Sequence, residues 1–190
     1  HTIAFSVFEP ATFNCEKGNP LVLHGHGYGG AREQAPGGLL KRLVDSGAGV
    51  ISIDQRGFGE SGGTVRVLDP DFEGQDLLQI LDWAEAKLDW LRYSSNKPVG
   101  QRQFNMVAGA TGGSYGGGYQ MLIHNIDPLK RLDALTPDIA WNDLRYSLNP
   151  GAPYGIKDFQ PAEGHIKPVG TVKSGWALLL VAGGEAGSLG

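Results

Sequence analysis

The sequence predicts an α/β fold in which helices flank a mostly parallel β-sheet. Short apolar segments alternate with longer segments whose apolar residues recur at helical spacing, and this alternation is typical of βαβ units. Glycine-rich turns separate the two kinds of segment, and the 30 glycines gather at such turns instead of forming a low-complexity tract. The length of 190 residues is enough for one domain with a buried core.

The first part of the chain predicts a βαβ unit. Ile3 to Phe8 has the β-branched and aromatic content of a strand, and Leu21 to His24 is a second, short apolar strand. Residues 25–30 form a glycine-rich turn, and the segment from Glu33 to Ser46 then carries leucines at helical spacing. Val50 to Ile53 is the next strand. A strand, turn, helix and strand in this order predict a parallel strand pair.

The middle of the chain adds a loop and a long helix. Residues 54–63 form a loop at the carboxyl end of the third strand, and open parallel sheets place their ligand-facing loops on this edge. Asp71 is expected to cap a helix from Phe72 to about Leu91, whose broad apolar face is suited to covering a sheet. The Ser-Ser-Asn-Lys-Pro segment at residues 94–98 ends this helix.

A second unit of strand, turn and helix follows. Phe104 to Ala110 is expected to be a strand, Gly112 to Gly116 a sharp turn, and Tyr119 to Asn125 a helix. Leu132 to Leu135 fits one further strand. These segments complete a core domain predicted over residues 1–136.

The end of the chain has a weaker pattern. Residues 137–190 are expected to begin a cap or lid segment over the site. The apolar run from Trp176 to Ala182 stops at a glycine-rich end, as if its packing partners lay further on, and His1 replaces an initiator methionine. We therefore expect a fragment of a longer protein, with an incomplete cap.

Charge and composition narrow the class of partner. Charged residues make up 19% of the chain, and the net charge of -4 gives no reason to expect nucleic acid or an acidic membrane surface. The single cysteine, Cys15, allows neither an internal disulfide nor a cysteine metal cluster. No apolar run reaches the ~20 residues of a membrane span. We expect a soluble, cytoplasmic or secreted chain with a small-molecule partner, and the oligomeric state stays open.

The segment Gly112-Gly113-Ser114-Tyr115-Gly116 has the G-x-S-x-G pattern of a serine hydrolase. In this pattern a strand ends, the chain turns sharply, and the serine hydroxyl is exposed, so Ser114 is the candidate nucleophile. The earlier glycine-rich turn would present the backbone N–H of Tyr28 to the oxyanion that forms when Ser114 attacks a carbonyl. The N–H of Tyr115 would be the second donor.

A dinucleotide-binding site is an alternative interpretation of the same glycine-rich turn. Gly25, Gly27 and Gly30 satisfy G-x-G-x-x-G after a strand, and Asp54 ends the following strand, where it could bind a ribose hydroxyl. The hydrolase interpretation is favoured because it explains this turn and the Ser114 turn together. A Walker-type phosphate loop is excluded, since no glycine-rich turn is followed by Gly-Lys-Ser or Gly-Lys-Thr.

Three motifs together resemble the α/β-hydrolase superfamily: residues 24–30 (His-Gly-His-Gly-Tyr-Gly-Gly), 54–63 (Asp-Gln-Arg-Gly-Phe-Gly-Glu-Ser-Gly-Gly) and 113–117 (Gly-Ser-Tyr-Gly-Gly). The second and third are similar to motifs of the X-Pro dipeptidyl-peptidase and cocaine-esterase-like acyl hydrolases. The resemblance covers roughly residues 20 to 150. It implies an α/β-hydrolase sheet, a Ser-Asp/Glu-His triad in that chain order, an oxyanion hole, and hydrolysis of esters or certain peptide bonds through an acyl-enzyme, with no metal or organic cofactor.

The candidate base and acid should follow Ser114 in the chain. His124 lies ten positions along the expected helix, about 15 Å from the serine, which is too far for a base. His165 is in a loop by sequence and is the candidate base. The candidate acids are Asp138, Asp143 and Asp158, of which we select Asp138. In the pattern of the family that this chain resembles, the acid and the histidine follow two later sheet strands, which are not found in this sequence. The favoured expectation is therefore that the base and the acid lie outside this chain, either because it is a fragment or because another chain supplies them.

Several other polar residues near these motifs are expected to have structural rather than catalytic roles. His24 and His26 flank the glycine-rich turn and are expected to hydrogen-bond backbone, and Asp54 and Arg56 are expected to brace the loop beneath the site. The aromatic residues expected to line an acyl pocket in the cap are Trp141 and Tyr146.

The sequence thus predicts a serine hydrolase that cleaves carboxylic esters through an acyl-enzyme on Ser114. An X-Pro-type dipeptidyl peptidase built on the same core is the first alternative. A dinucleotide-binding domain without hydrolytic activity, or a fragment without turnover, is the second.

Overall fold

The computed structural model describes residues 1–94, 106–148 and 173–188. In these ranges the chain forms a single five-stranded sheet with helices on both faces. The strands are β1 (Phe5–Phe8), β2 (Leu21–Gly25), β3 (Gly49–Ile53), β4 (Ala108–Gly113) and β5 (Ala134–Asp138). The helices are α1 (Gly38–Asp45), α2 (Glu73–Lys87), α3 (Tyr115–Ile126), α4 (Leu144–Leu148) and α5 (Ser174–Ser188).

The strand order across the sheet is β1-β3-β2-β4-β5. β1 is antiparallel to β3, whereas the β3–β2, β2–β4 and β4–β5 pairs are all parallel. This arrangement confirms the predicted mostly parallel α/β sheet. Because β2, β3, β4 and β5 run in the same direction, the segments that follow them meet at one edge of the sheet.

The hydrophobic core lies on the sheet face that α2 and α3 cover. Leu23 of β2 and Ile51 of β3 are 0% exposed, and they pack in one cluster with Leu81 of α2 and Ile123 of α3. Alternate residues of each strand point to the opposite face, which α1 covers only in part. That face is more polar, and His24 Nδ1 lies 3.0 Å from the Ser52 hydroxyl there.

Gln120 of α3 joins the turn after β4 to the edge strand β5. Its side chain is 0% exposed. The amide nitrogen donates to the Gly116 carbonyl at 2.8 Å, and the amide oxygen accepts the Thr136 N–H at 2.9 Å. A buried amide with partners on both elements fixes their relative position, because leaving either atom unpaired would be costly.

Several predicted element boundaries were wrong, and tertiary contacts explain two of them. The helix expected from Glu33 begins only at Gly38, because the Arg32 and Glu33 N–H groups donate to Asp54 and Ser52 instead of entering a helix. The helix expected at Tyr119 begins four residues earlier, at Tyr115.

The other corrections concern α2, β4 and β5. Asp71 does not cap α2: the residue before the helix is Phe72, which makes no side-chain capping bond. The helix ends at Lys87, because Leu91 instead pairs with Asn19 in an isolated bridge. The last two strands end at Gly113 and Asp138, three residues later than predicted. β5 therefore runs two residues past position 136, where the predicted core domain ends.

The apolar run near the end of the chain forms α5. Its apolar side chains are largely outside the core, and Trp176 and Leu178 are 62% and 70% exposed. In the described part of the chain, no helix is long and apolar enough to cross a membrane.

Candidate active site

Ser114 lies on a sharp turn between β4 and α3. It has φ 55° and ψ −115°, a conformation that non-glycine residues rarely adopt. The turn is held on both sides: the Ser114 N–H donates to the Asp138 carbonyl at 2.9 Å, and the Ser114 carbonyl accepts the N–H of Gly117 at 2.9 Å. The edge strand and the first turn of α3 therefore hold the serine in this strained conformation.

Two glycines make the turn sterically possible. A Cβ at Gly112 would overlap the Gly25 carbonyl oxygen, and Gly112 also has φ +148°. A Cβ at Gly116 would overlap the same oxygen. Both motif glycines are therefore required because the end of β2 lies against them and leaves no space for a side chain. The turn conformation is only part of the reason.

The glycine-rich turn after β2 is anchored by His26, which is 7% exposed. His26 Nδ1 lies 2.7 Å from the Gly27 carbonyl, and its Nε2 accepts the Gln55 N–H at 3.1 Å. Together these bonds require the neutral imidazole with its proton on Nδ1. Burial lowers the pKa of His26, which favours the same neutral form. His26 therefore has the structural role that the sequence indicated.

Tyr28 and Tyr115 come together across the site. Their rings meet edge to face with centroids 5.2 Å apart, and Phe58 packs against both. Tyr115 is the first residue of α3, so its N–H has no partner within the helix. Across the described parts of the chain, neither the Tyr28 N–H nor the Tyr115 N–H donates a hydrogen bond. Among the described residues, therefore, neither N–H group has an acceptor.

Burial also affects the ionisation of these tyrosines. It raises the pKa of the Tyr115 hydroxyl, which is 0% exposed, and the nearby Glu73 carboxylate raises it further. The pKa of Tyr28 is raised for the same two reasons. Both hydroxyls are therefore neutral at physiological pH, and the Tyr28 hydroxyl donates to the Leu180 carbonyl of α5 at 2.7 Å.

The loop after β3 is organised by Asp54, which is 0% exposed. Its carboxylate forms an ion pair with Arg32 and accepts the Glu60 N–H at 2.9 Å. Arg56 pairs with Asp76 of α2 through two hydrogen bonds of 2.8 and 3.0 Å. Both residues brace the loop, as the sequence indicated.

The same contacts argue against a dinucleotide site. Both carboxylate oxygens of Asp54 already have partners in Arg32, so neither faces a ribose. The glycine-rich turn does not lead directly into a helix either, because α1 begins only at Gly38. A pyrophosphate held as in a dinucleotide fold needs that helix N-terminus at the turn.

The structure places some of the predicted triad residues and leaves others outside its described ranges. Asp138 ends β5 directly beside the Ser114 turn: it pairs with Gly113, and a Cβ on Gly113 would lie 3.7 Å from its carboxylate. Its side chain faces a depression of about 510 Å³ on the α1 side of the sheet. Asp143 immediately precedes α4. His165 and Asp158 lie outside the described residues, and His124 is exposed near the end of α3.

The two predicted pocket aromatics lie near α4. The Trp141 ring is tilted against the Tyr115 ring at 6.1 Å, and it also approaches the Gly118 backbone of α3. Tyr146 belongs to α4, and its side chain is outside the described part of the chain. The lining of an acyl pocket by these two residues stays a prediction.

Sequence reasoning missed Arg32 and Glu73. Arg32 neutralises Asp54, yet the two are far apart in sequence and only the fold brings them together. Glu73 is 1% exposed, and its carboxylate accepts the N–H groups of Arg66 and Asp69 in the loop before α2. The only signal was a glutamate in the first turn of the expected helix, which is common at exposed positions. In the described residues no cluster of three or more His, Cys, Asp or Glu could hold a metal ion.

Comparison with known proteins identifies the class and then the family. The chain superimposes on a CocE/NonD family hydrolase from Staphylococcus aureus with a TM-score of 0.54 and 20% identity, covering 76% of this chain and 26% of that one. It also superimposes on the ferulic acid complex of Est1E from Butyrivibrio proteoclasticus with a TM-score of 0.50 and 21% identity, covering 70% and 47%. The fold is that of the α/β hydrolases.

A family model described as X-Pro dipeptidyl-peptidase (S15 family) matches residues 2–177. The chain therefore belongs to the X-Pro dipeptidyl-peptidase (S15) family of hydrolases. It is also 33% identical over 79 residues to an Escherichia coli protein named "Uncharacterized 31.7 kDa protein in traX-finO intergenic region", covering 40% of this chain and 28% of that protein. The chain thus spans about a quarter of the length of the first relatives it matches.

Proposed function

We propose that the chain carries the nucleophile and the oxyanion hole of a serine hydrolase that cleaves carboxylic esters through an acyl-enzyme on Ser114. One observation carries the proposal: a serine with φ 55° stands at the start of α3 and is followed by Tyr115, whose ring contacts that of Tyr28. In the described part of the chain, the backbone N–H groups of both tyrosines donate no hydrogen bond. Membership of a hydrolase family supports it.

In the proposed mechanism the Ser114 oxygen attacks the acyl carbonyl and its proton passes to a base. The carbonyl oxygen gains the negative charge, and the N–H groups of Tyr28 and Tyr115 donate to it. Collapse of the tetrahedral intermediate expels the alcohol with that proton, and water then releases the acid by the same route. The partner is a small ester or short peptide, and no cofactor takes part.

The base and acid of this mechanism are proposals of their own. His165 is the candidate base. Asp138 is favoured as acid over Asp143 because it lies at the end of the strand that pairs with β4, with its backbone bonded to Ser114. We further propose that residues 1–136 carry the catalytic core and that residues 137–190 begin a cap.

Labelling with a fluorophosphonate probe tests the nucleophile. We expect one covalent adduct, located on Ser114 by peptide mass spectrometry, and no adduct in Ser114→Ala. Ser46→Ala, which changes an exposed serine at the end of α1, is the matched control and should label normally. Absence of an adduct, or an adduct that persists in Ser114→Ala, would contradict the assignment.

The family description favours a second candidate, an X-Pro-type dipeptidyl peptidase that uses the same serine. The two activities differ in the bond that is cleaved and in the recognition of a free amino terminus. Parallel assays with a p-nitrophenyl ester and an X-Pro p-nitroanilide separate them. A much larger kcat/KM for the anilide would replace the ester proposal with the peptidase.

A further inference from the structure

A cleft of about 610 Å³ is lined in part by the side chain of Tyr28, one of the proposed oxyanion donors. It lies between the loop before α2 and helices α4 and α5. Most of its lining is apolar, contributed by Tyr28, Val65, Val67, Leu144, Leu148 and Leu180. The described residues that line it include one carboxylate, Glu185, and no lysine or arginine. Its size and lining are typical of a site for an uncharged small molecule.

One wall of the cleft is held in a strained conformation. Val67 has φ 59° and Leu68 has φ 63°. A left-handed φ is rare for a β-branched residue such as valine, and such strain persists only where surrounding contacts enforce it. The buried Glu73 enforces it, because its two oxygens accept the N–H groups of Arg66 at 2.5 Å and Asp69 at 3.1 Å, which bracket the strained pair.

The cleft shares Tyr28 with the proposed oxyanion hole. Tyr28, whose N–H is a proposed oxyanion donor, lines the cleft with its side chain, and its hydroxyl donates to the Leu180 carbonyl at 2.7 Å. A carbonyl bound at the Tyr28 N–H would therefore be held by a residue whose side chain lines the cleft. Burial of apolar surface there would contribute binding free energy in proportion to chain length.

We propose that this cleft binds the acyl chain of the substrate, that the chain is uncharged and aliphatic, and that Val67 on the strained turn is a specificity-determining residue. This rests on the proposed function, since it assigns the acyl side of the same ester. Glu185 at the cleft makes an anionic acyl group unfavourable there.

Binding of amide analogues tests the assignment without any chemical step. The p-nitroanilides of butanoic, hexanoic and octanoic acid are titrated calorimetrically into the Ser114→Ala protein. We expect the association constant to rise about fourfold for each added methylene, as expected for burial of a CH₂ group. Equal affinity along the series would overturn the proposal. Tighter binding of octylammonium than of the octanoic amide would also overturn it, because Glu185 would then mark an amine site.

Variants on one helix locate the binding. Leu180 of α5 lines the cleft, whereas Leu178 of the same helix is 70% exposed and does not. Leu180→Asn should lower the association constant of the octanoic p-nitroanilide at least tenfold. Leu178→Asn should leave this constant unchanged. Val67→Asn should also lower the association constant of this amide. The turn itself should be retained, because asparagine readily adopts a left-handed φ. Equal effects of the two leucine variants, or no effect of Leu180→Asn, would contradict the cleft assignment.

The outcomes separate the two proposals. Fluorophosphonate labelling of Ser114 together with chain-independent amide binding would overturn the cleft assignment alone. Chain-dependent amide binding without Ser114 labelling would overturn the proposed function, and it would make the cleft an apolar ligand site with no acyl role.

Discussion

At the residue scale, the site depends on backbone positions that few side chains tolerate. Ser114 adopts φ 55° and ψ −115°, and strain of this kind costs on the order of 1–3 kcal/mol per residue. Backbone hydrogen bonds to the edge strand and within the first turn of α3 hold Ser114 in this conformation. The turn also brings Gly112 and Gly116 close to the Gly25 carbonyl. Neither glycine has space for a methyl group.

Gly116→Ala should therefore destabilise the protein by about 1–3 kcal/mol, because the added Cβ overlaps the Gly25 backbone. Alanine at a helical position would otherwise be favourable by about 1 kcal/mol. Urea unfolding measures the difference in the free energy of unfolding between Gly116→Ala and the wild type. Gly27→Ala is the control, since nothing lies within 4 Å of its Cβ, and it should change stability by less than about 0.5 kcal/mol. A Gly116→Ala protein as stable as the wild type would refute the overlap.

His26 makes stability depend on pH. Its pKa is lowered by burial in the folded state, so between the folded pKa and about 6.5 the unfolded chain binds the extra proton. The stability is thus complete above about pH 6.5, falls as the pH decreases below that value, and levels off below the folded pKa. The slope is at most about 1.4 kcal/mol per pH unit for this group. The pKa of His24 is also lowered by burial, and it contributes in the same direction.

Urea unfolding between pH 5 and pH 7.5 tests this dependence. His26→Gln should lower stability at pH 7.5, because the bonds to Gly27 and Gln55 are disturbed, and it should also reduce the slope. An unchanged slope in the variant would show that His26 is not the titrating group.

At the scale of elements, the loop after β3 is held by ion pairs of different burial. Arg32 bridges Asp54, whose side chain is 0% exposed, and Glu60, whose side chain is 67% exposed. Removing one partner of a buried pair leaves an uncompensated charge, whereas an exposed pair contributes little. The two pairs share one arginine, so they can be compared directly.

Asp54→Asn should cost about 3–5 kcal/mol of stability, since the buried Arg32 pair is broken. Glu60→Gln should cost less than about 1 kcal/mol. Urea unfolding at low ionic strength measures the change in the free energy of unfolding for both variants. Similar costs for the two variants would mean that burial does not determine the strength of these pairs.

At the scale of the whole molecule, the packing is uneven. The face under α2 and α3 carries the core, while α5 has exposed apolar side chains and β5 has alternating exposed residues at the edge of the sheet. Local stability should follow this distribution, because segments with few buried contacts open more readily.

Hydrogen exchange followed by mass spectrometry should therefore show the strongest protection in β2, β3 and α2. Peptides from α5 should exchange orders of magnitude faster, because their opening requires little loss of buried surface. Protection of α5 equal to that of β3 would contradict the uneven distribution of stability.

The sequence by itself determined the order of the sheet strands and their connecting helices along the chain and the position of the serine turn. Apolar strands, helical leucine spacing and glycine-rich turns are local patterns, so they can be recognised without contacts between distant residues. The G-x-S-x-G segment located Ser114 for the same reason. Element boundaries were less predictable: α1 starts late because Arg32 and Glu33 bond to Asp54 and Ser52.

Only the tertiary structure decided the features that depend on distant residues meeting. It placed the Asp138 carbonyl on the Ser114 N–H and paired Arg32 with Asp54. It also brought the ring of Tyr28 against that of Tyr115 and formed a cleft lined in part by Tyr28. None of these contacts has a local sequence pattern, because each arises from parallel strands that place their following loops at one edge of the sheet.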